Sequence, residues 1–446
     1  MSANVREYAL AALKKISEGA RPKDAIATAS DGGLDRRDRA LLMELVYGSL
    51  RWKLLLDHIL SGFLSKEPGK STTENLRLAL YQMLFTRVPG HAAVFEAVEM
   101  EKEHRGRPPL VNAVLRSVQR READILKEIT ALKETAADPA APADKRLRAA
   151  ALAESQPEWL LKRWAHVLGI GEAVWLAHIN NEIPPLTLRV KSEKRAETLE
   201  ALKNVFPDAA PTPFSPAGLR ISGGAVFEDI LKILPASFAQ DEAAQLTAFL
   251  LAPMPGERIL DACAAPGGKA THIAELMRDT GEVVAADISP ARLELVRQNA
   301  DRLGLKSVNP VLADALNIED RLGVFDKVIL DAPCSSLGTI RRNPDVKYRH
   351  SKKKLRELGA NQLHMLRSVS KAVKKGGTIV YCTCSTEPEE GEEVVESFLK
   401  ETSGAFGPDP YAPEFMAELR AGRYFRTWPH RHGMDGFFMA RLARIK

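Results

Sequence analysis

The sequence predicts a multidomain protein with an all-α N-terminal domain, a small α+β segment and a C-terminal α/β domain. Over the first 127 positions apolar residues recur at helical spacing, as at Val111, Val114, Leu115 and Val118. From Asp241 onward, strand-like apolar runs alternate with helix-like segments, which is typical of a parallel sheet covered by helices. The chain has 446 residues, of which 45% are hydrophobic, so several domain cores are possible.

Changes in composition divide the chain into four parts. Residues 1–134 form the predicted helical domain. Residues 135–156 are rich in Ala and Pro and lack periodic aliphatic residues, which predicts a linker. Residues 157–240 combine helical pieces with an alternating run at 186–190, which predicts a small α+β segment. Residues 241–446 form the predicted α/β domain.

Within the α/β domain the apolar runs predict strands and helices in alternation. The predicted strands are Arg258–Cys263, Glu282–Asp287, Val308–Ala313, Lys327–Asp331 and Thr378–Thr383. The predicted helices are Lys269–Arg278, Pro290–Leu303, Lys354–Lys374 and Glu392–Glu401. Two late strands, Arg423–Trp428 and Gly436–Ala443, follow and are joined by a turn.

Charge and cysteine content narrow the class of protein. The net charge of +5 is mildly basic and permits nucleic-acid binding without requiring it. The four cysteines have no CxxC spacing, and no apolar run is long enough to span a membrane. We therefore expect a cytoplasmic protein with free thiols, no metal site, no membrane partner and no obligate oligomer, so a monomer.

A loop of small residues joins the first strand of the α/β domain to its helix, where open α/β sheets bind ligands. Its candidate ligand-binding residues are Cys263, Ala264, Ala265, Pro266, Gly267, Gly268 and Lys269. The loop is not a phosphate-binding P-loop, because Cys263 replaces the first glycine and Ala270 replaces the Ser or Thr. A purely structural tight turn is the alternative.

Three aspartates end successive strands of the α/β domain. They are Asp287, Asp314 and Asp331, and the first lies about twenty residues after the loop, where a carboxylate can bind ribose hydroxyls. A single aspartate of this kind is often only a helix cap or turn residue. Three on one rim, without a phosphate cradle, favour a nucleoside ligand that lacks phosphates, and S-adenosyl-L-methionine is such a ligand.

Two cysteines follow predicted strands and are candidates for covalent chemistry. Cys334 follows a proline just past one strand, and Cys384 ends another. A thiolate in either place could act as a nucleophile, and nearby basic groups would lower its pKa. We interpret Cys263 and Cys382 as buried structural cysteines, although Cys263 belongs to the ligand loop.

A basic run between Thr339 and Arg356 follows the Pro-Cys dipeptide. It contains eight basic residues and one acid, with Tyr348 and His350 interleaved. A solvated helix face is the ordinary explanation of such a run. Its position beside Cys334 favours contact with RNA or DNA instead, with the following candidate residues: Arg341, Arg342, Lys347 and Arg349.

Taken together, these motifs resemble the Nol/Nop/Sun family of RNA cytosine carbon-5 methyltransferases over nearly all of residues 241–446. The motifs are Asp261–Lys269, Asp331–Ser336 with Gly338, Arg342–Asp345, Tyr381–Ser385, and Pro429-His430 through Asp435–Phe438. The resemblance implies a Rossmann-like class I methyltransferase domain. The helical segment looks like a NusB-type RNA-binding domain, and this pairing is similar to bacterial methyltransferases of small-subunit (16S) ribosomal RNA.

The resemblance also implies roles for individual residues. The loop Cys263–Lys269 would hold the methionine part of S-adenosyl-L-methionine, Asp287 its ribose, and Asp314 would lie near the adenine. Cys384 would attack cytosine carbon-6 and Cys334 would assist product release. Asp331 would face the cofactor or the base, and in its neutral form it could hydrogen-bond ring nitrogen-3.

Other functions stay open at this stage. The substrate could be another RNA such as tRNA, or the chain could be a non-catalytic RNA-binding factor of ribosome assembly that retains the fold. A thiol redox enzyme would need a CxxC motif or a close resolving pair, and the sequence offers only Cys382-Thr383-Cys384.

Overall fold

The computed structural model describes residues 5–30, 33–222, 225–318 and 322–446. The described chain forms two compact units. The first contains the residues up to Glu182 together with Asn343–Arg349, and the second contains Ile183–Arg342 and His350–Lys446. A short segment from the middle of the α/β sequence therefore belongs to the N-terminal unit.

The first unit is helical, which confirms the predicted all-α N-terminal domain. Its helices are α1 (Val5–Ser17), α2 (Pro22–Ala29), α3 (Arg36–Arg51), α4 (Lys53–Ser61), α5 (Lys70–Phe85), α6 (Gly90–Glu103), α7 (Pro108–Arg120), α8 (Glu122–Ala137), α9 (Ala143–Ala153), α10 (Glu158–Leu168) and α11 (Ile170–Ile179). Local signals set some of their ends. Proline occupies the first position of α2, and the Asp35 carboxylate caps α3 by accepting from Asp38 N at 2.8 Å.

The predicted linker at 135–156 is wrong for most of its length. Helix α9 fills residues 143–153 and buries Leu147 and Ala150. Alanine favours helices and lets neighbouring helices approach closely, so an alanine-rich stretch can pack without long aliphatic side chains. The first unit consequently extends to Glu182.

The small α+β segment predicted at 157–240 contains an antiparallel sheet. Its strands are β1 (Leu186–Arg189), β2 (Ala210–Pro211), β3 (Gly218–Ile221) and β4 (Phe238–Ala239), in the order β2-β3-β1-β4. Helices α12 (Arg195–Lys203) and α13 (Phe227–Ile233) accompany it, after a 3₁₀ turn at Ser192–Lys194. Alternate strand residues such as Leu188 and Leu219 form its core with Leu202 of α12.

A mixed sheet of nine strands organises the rest of the second unit. Its strands are β5 (Arg258–Asp261), β6 (Glu282–Asp287), β7 (Val308–Leu312), β8 (Phe325–Asp331), β9 (Val373–Thr383), β10 (Phe406–Pro408), β11 (Arg420–Ala421), β12 (Tyr424–Thr427) and β13 (Phe437–Arg444). The order is β11-β12-β13-β9-β8-β5-β6-β7, and β10 pairs with β13. Strands β5 to β9 pair in parallel, whereas β10 to β13 pair antiparallel.

Helices cover both faces of this sheet, as the alternating pattern predicts. They are α14 (Glu242–Leu251), α15 (Gly268–Leu276), α16 (Pro290–Leu303), α17 (Lys352–Lys371), α18 (Glu392–Glu401) and the short α19 (Pro429–His432). Helices α14 to α16 share one core with alternate strand residues, and α17 and α18 share the other. Among the residues described, none of the helices is long and apolar enough to cross a membrane.

Buried Arg189 of β1 connects the small sheet to helix α15, which packs on the large sheet. Its guanidinium donates to Gln240 Oε1 at 2.8 Å and to Thr271 Oγ1 at 2.9 Å, and its Nε lies 3.1 Å from Glu275 Oε2. The Arg189 side chain is 1% exposed and that of Glu275 is 8% exposed. Removing one member of such a pair would leave a buried charge without its partner.

We expect Arg189→Leu to lower the free energy of unfolding of the protein by about 3 kcal/mol, because Glu275 stays buried without a cation. Urea titration followed by circular dichroism measures this loss. Lys203→Met is the matched control, since the Lys203 pair with Glu200 is exposed and should contribute less than about 1 kcal/mol. Equal losses in both variants would contradict the assigned role of Arg189.

Candidate active site

The two candidate thiols meet at one edge of the large sheet. Strands β8 and β9 are parallel neighbours, and their register pairs Asp331 with Cys382. The chain segments that follow both strands therefore leave from the same edge. This brings Cys334 Sγ to 3.2 Å from Cys384 Sγ, although fifty positions separate the residues in sequence.

The surroundings make the two thiols unequal. Hydrogen bonding to Cys384 is the main cause that raises the pKa of Cys334 well above its ordinary value, and burial and the negative charges of Cys384, Glu390 and Asp331 add to it. Cys334 is therefore a neutral thiol near pH 7 and can donate to the Cys384 sulfur. The Ser336 hydroxyl lies 3.5 Å from the same sulfur. Cys384 Sγ donates to this hydroxyl oxygen.

A buried carboxylate that the sequence analysis did not single out lies behind the thiols. Glu390 is completely buried, and its carboxylate accepts hydrogen bonds from Ser335 and Ser385, the residues that follow the two cysteines. Gln362 Nε2 donates to the same carboxylate at 3.1 Å. The sequence signal was weak, because Glu390 stands in an acidic stretch that normally lies at the surface.

The other two cysteines differ in burial. Cys382 is fully buried, as interpreted from the sequence, and its Sγ lies 3.7 Å from Asp331 Oδ1. Cys263 is only partly buried. Burial, followed by the neighbouring aspartate charges, raises the pKa of the Cys263 thiol far above its usual range. Neither thiol is a ready nucleophile in this environment.

An ion pair occupies the base of the site. Lys269 Nζ lies 2.5 Å from Asp331 Oδ2, and the Lys269 side chain is 11% exposed. Burial by itself would lower the pKa of Lys269, but the charges of Asp331 and other nearby groups outweigh burial and raise it. The Lys269 ammonium thus lies directly against the Asp331 carboxyl group.

The small-residue loop is held by backbone contacts. Ala265 N donates to Asp287 Oδ2 at 3.3 Å, and Gly267 has a φ of +102°, which favours glycine. A Cβ on Gly267 would lie 3.3 Å from Val296 Cα, and a Cβ on Gly268 would lie 3.3 Å from the Phe238 ring. Packing inside the protein therefore favours glycine at both positions. The sequence had indicated only close approach of a ligand as the reason for small residues in this loop.

The rim beside this loop suits a nucleoside. The Asp287 carboxylate ends β6, is 3% exposed, and retains acceptor capacity beyond its bonds to Ala265 N and Ser289 N and its ion pair with Arg292. The apolar side chains of Ile288 and Leu312 are 66% and 56% exposed, and the register pairs Asp287 with Leu312 across the sheet. A carboxylate for hydroxyl groups and an apolar surface for a flat ring match the chemistry of S-adenosyl-L-methionine.

Asp314 has a more local contact. It lies two residues beyond the end of β7, and its Oδ1 accepts from Leu316 N at 2.9 Å. This bond is the turn-forming role that we kept as the alternative reading of a strand-end aspartate. Asp314 remains partly exposed on the rim that Asp287 and Leu312 define, so contact with a ligand is also open to it.

The four basic residues proposed to contact RNA have intramolecular partners. Arg341 is 6% exposed and donates to Gly433 O, and Lys347 is fully buried with its ammonium bonded to Arg51 O and Ser155 O. Arg349 donates to Ala20 O and pairs with Asp345. The prediction of an RNA surface is wrong for Lys347, because burial lowers its pKa well below the usual value and excludes a phosphate.

Arg342 likewise has a structural role. It lies between two aspartates, with Nη2 at 2.8 Å from Asp241 Oδ2 and Nε at 3.1 Å from Asp435 Oδ1. Burial raises the pKa of Asp435 to about 7, with Asp241 adding to the rise and Arg342 opposing it. The guanidinium therefore compensates two buried carboxyl groups. The exposed basic residues of the run are Lys352, Lys353, Lys354 and Arg356 at the start of α17.

The sheet order, the strand-end carboxylates and the loop after β5 define a class I S-adenosyl-L-methionine-dependent methyltransferase. Three family models match the chain in succession. Residues 3–120 match the NusB family, residues 156–227 match the ferredoxin-like domain of RsmF/B-like methyltransferases, and residues 248–443 match the 16S rRNA methyltransferase RsmB/F. Relatives that align over nearly the full chain are named ribosomal RNA small subunit methyltransferase B, and the chain belongs to this family.

Similarity extends over the whole chain. The probable ribosomal RNA small subunit methyltransferase B of Bacillus subtilis is 36% identical, and the alignment covers 99% of both chains. The Pseudomonas syringae enzyme of the same name is 34% identical over 98% of this chain and 96% of its own. Among solved structures, PH0851 superposes with a TM-score of 0.79 at 26% identity and covers 99% of both chains.

We expect Gly338→Ala to destabilise the thiol site. A Cβ at this position would lie 1.8 Å from Gly436 O, while Gly338 N donates to Cys384 O at 3.0 Å. The overlap must move the Cys384 loop, at a cost of about 1–3 kcal/mol in the free energy of unfolding. Thermal and urea denaturation measure it.

Gly171→Ala is the control for this substitution. It lies in α11, and nothing stands within 4 Å of the added Cβ. Its free energy of unfolding should stay unchanged or rise slightly through the better helix propensity of alanine. Unchanged stability of Gly338→Ala would contradict the close packing of Gly338 against Gly436.

Proposed function

We propose that this methyltransferase acts on carbon-5 of a cytosine in small-subunit (16S) ribosomal RNA through a covalent adduct with Cys384. The observation that carries the proposal is the thiol pair, with Cys334 Sγ and Cys384 Sγ 3.2 Å apart at the rim that suits the cofactor. Two adjacent thiols suit a reaction in which one adds to the base and the other assists its release.

The unequal thiols support Cys384 as the nucleophile. Cytosine carbon-5 is a poor nucleophile until a thiolate adds to carbon-6 and interrupts the aromatic ring. The Cys334 thiol can donate to Cys384 Sγ, and such a donor stabilises a negative sulfur. The opposite assignment would require a thiolate on Cys334, whose pKa is raised well above the usual range.

The Lys269–Asp331 pair supports a role at the base. Negative charge develops on the pyrimidine ring, including nitrogen-3, when the thiolate adds. An ionised Asp331 can accept from the exocyclic amine of cytosine, and the Lys269 ammonium on its other side can supply positive charge and a proton toward the ring. In the neutral form expected from the sequence, Asp331 would instead donate to ring nitrogen-3 itself.

Formation of the adduct removes two of the causes that raise the pKa of Cys334. Once Cys384 is a neutral thioether, its charge and its hydrogen bond no longer raise the pKa of Cys334. Cys334 then loses its proton to solvent more readily, and the resulting thiolate can take up the proton from carbon-5. Removal of that proton restores the carbon-5 to carbon-6 double bond, breaks the bond from carbon-6 to Cys384 and releases the methylated base.

Residues around the loop would hold the cofactor. When bound, S-adenosyl-L-methionine supplies an electrophilic methyl group on its sulfonium. Asp287 would accept the ribose hydroxyls, and Ile288 and Leu312 would contact the adenine with Asp314 nearby. The loop Cys263–Lys269 would hold the methionine part.

The names of the relatives support 16S ribosomal RNA as the substrate. The target cytosine must be unpaired or rotated out of a helix to reach two thiols at a strand edge. The exposed basic residues at the start of α17 are the part of the basic run that can contact its phosphates. Free catalytic thiols also fit the reducing cytoplasm.

Labelled S-adenosyl-L-methionine, purified protein and unmodified 16S ribosomal RNA test the substrate directly. We expect 5-methylcytosine at a discrete position, mapped by bisulfite sequencing. Methylation of tRNA alone would move the proposal to another RNA. Binding of RNA without methylation, by protein that binds the cofactor, would instead indicate an assembly factor.

The cysteine variants should separate the two thiols. Cys384→Ala should lower methylation by on the order of 10³-fold or more and form no adduct, because the nucleophile is absent. Cys334→Ala should accumulate an RNA–protein adduct that resists denaturation, because release is blocked. A denaturing gel with labelled RNA measures both outcomes.

The double variant with both cysteines replaced by alanine is the control, and it should form no adduct. This control assigns the trapped bond to Cys384 rather than to another residue. Normal turnover by Cys384→Ala, or an adduct that survives in the double variant, would refute the assigned roles.

Asp287→Ala should weaken cofactor binding. Loss of hydrogen bonds between a carboxylate and the ribose hydroxyls corresponds to roughly 10–100-fold in dissociation constant. Isothermal titration calorimetry with S-adenosyl-L-methionine measures it. Asp301→Ala, an exposed aspartate on α16, is the control and should bind normally. Equal affinity of the two variants would remove Asp287 from the cofactor site.

A further inference from the structure

The buried carboxylate of Glu390 has a fully occupied set of acceptors. Its Oε1 accepts from Ser335 N at 2.8 Å and from Gln362 Nε2 at 3.1 Å. Its Oε2 accepts from Ser385 Oγ at 2.5 Å and from Ser335 Oγ. An ionised carboxylate has about four acceptor positions, and all four are used here. Protein donors therefore replace the water that burial removes.

The donors to this carboxylate come from two different chain segments. Ser335 directly follows Cys334 in the segment after β8, and Ser385 directly follows Cys384 in the segment after β9. The two hydroxyls are also 3.2 Å from each other. The Glu390 carboxylate thus joins the residue next to one thiol to the residue next to the other.

The main chain of Glu390 strengthens the same connection. Its carbonyl accepts from Tyr381 OH at 2.8 Å and from Thr383 Oγ1 at 3.2 Å, and both donors lie on β9. Gln362 of α17 also donates to Pro333 O at 2.9 Å, directly before Cys334. Every residue that brackets the thiol pair is therefore tied to Glu390 or to its partner Gln362.

We propose that Glu390 is a positioning residue whose carboxylate holds the Cys334 and Cys384 segments together and so fixes the distance between the two thiols. The inference rests on the proposed two-thiol reaction for its functional meaning. Glu390 is fully buried and its carboxylate binds the residues next to both cysteines, so it acts on the reaction through the cysteines.

This role predicts that loss of the Glu390 carboxylate changes the positions of the two sulfur atoms and leaves the binding of RNA and cofactor unchanged. Loss of the carboxylate bridge leaves the Cys384 segment attached by its strand and by Gly338 N, so the fold persists while the sulfur positions relax. A displacement of about 1 Å between reacting groups costs on the order of 10²-fold in rate. The Michaelis constants for RNA and cofactor should stay near those of the wild type.

Two variants cut the bridge to different degrees. Ser385→Ala removes the hydroxyl through which the Cys384 segment reaches the carboxylate, and with it the acceptor of Glu387 N at 3.2 Å. Glu390→Ala removes the carboxylate itself. Ser397→Ala is the matched control, because the Ser397 hydroxyl donates within its own helix to Glu393 O at 2.6 Å. Thermal denaturation and cofactor binding establish that each variant is folded.

The distance between the thiols can be measured without RNA. Diamide oxidises two nearby thiols to a disulfide and is itself reduced to the hydrazine, and peptide mapping identifies the Cys334–Cys384 bond. We expect rapid formation in the wild type and in Ser397→Ala, and a rate at least about tenfold lower in Glu390→Ala, with Ser385→Ala between them. The turnover number for methylation should fall in the same order.

Wild-type oxidation and turnover in a folded Glu390→Ala variant would overturn the proposal. If Glu390→Ala does not fold, Ser385→Ala decides alone, and wild-type behaviour of both of its rates overturns the proposal equally. The oxidation assay uses neither RNA nor cofactor. It therefore tests the positioning role even if the protein methylates none of the RNAs offered, which would count only against the proposed function.

Discussion

The parallel pairing of β8 with β9 is the constraint on which the reactive edge depends. Both thiols follow these strands, so their proximity is a consequence of the register that pairs Asp331 with Cys382. A shift of one residue would turn alternate side chains to the opposite face and separate the sulfurs. The two cores on either side of the sheet hold this register, because each receives alternate residues of the same strands. The packing of the two cores therefore determines the distance between the two sulfur atoms.

Buried charges at this edge occur in compensated groups. Lys269 pairs with Asp331, Arg342 lies between Asp241 and Asp435, and four donors surround Glu390. Burying a charge without such partners would cost several kcal/mol. The compensation has a functional side, since fixed charges and dipoles around a reaction need no rearrangement when charge moves. The same contacts that allow burial also orient the reacting groups.

Much of the large sheet could be predicted, whereas the polar contacts could not. Strand β6 and helices α16 and α18 match their predicted bounds, because alternation, proline and capping residues mark them clearly. Strands β2 and β4 have two residues each and leave no periodic signal. The charge of Lys347 indicated a surface position, but burial against backbone carbonyls depends on distant segments. The Glu390 carboxylate binds Ser335, Gln362 and Ser385, which lie far apart in sequence. No local sequence pattern indicates these contacts.

The segment Asn343–Arg349 makes the helical unit discontinuous in sequence. It supplies the Lys347 ammonium to Arg51 O and Ser155 O, and the Tyr348 hydroxyl to Leu50 O. A fragment that ends at Glu182 would lack these donors and leave three carbonyl groups without them. Truncation of the chain after Glu182 would thus remove part of the helical unit itself. The complete helical unit is therefore encoded by two stretches of the gene that are separated by the stretch for Ile183–Arg342 of the second unit.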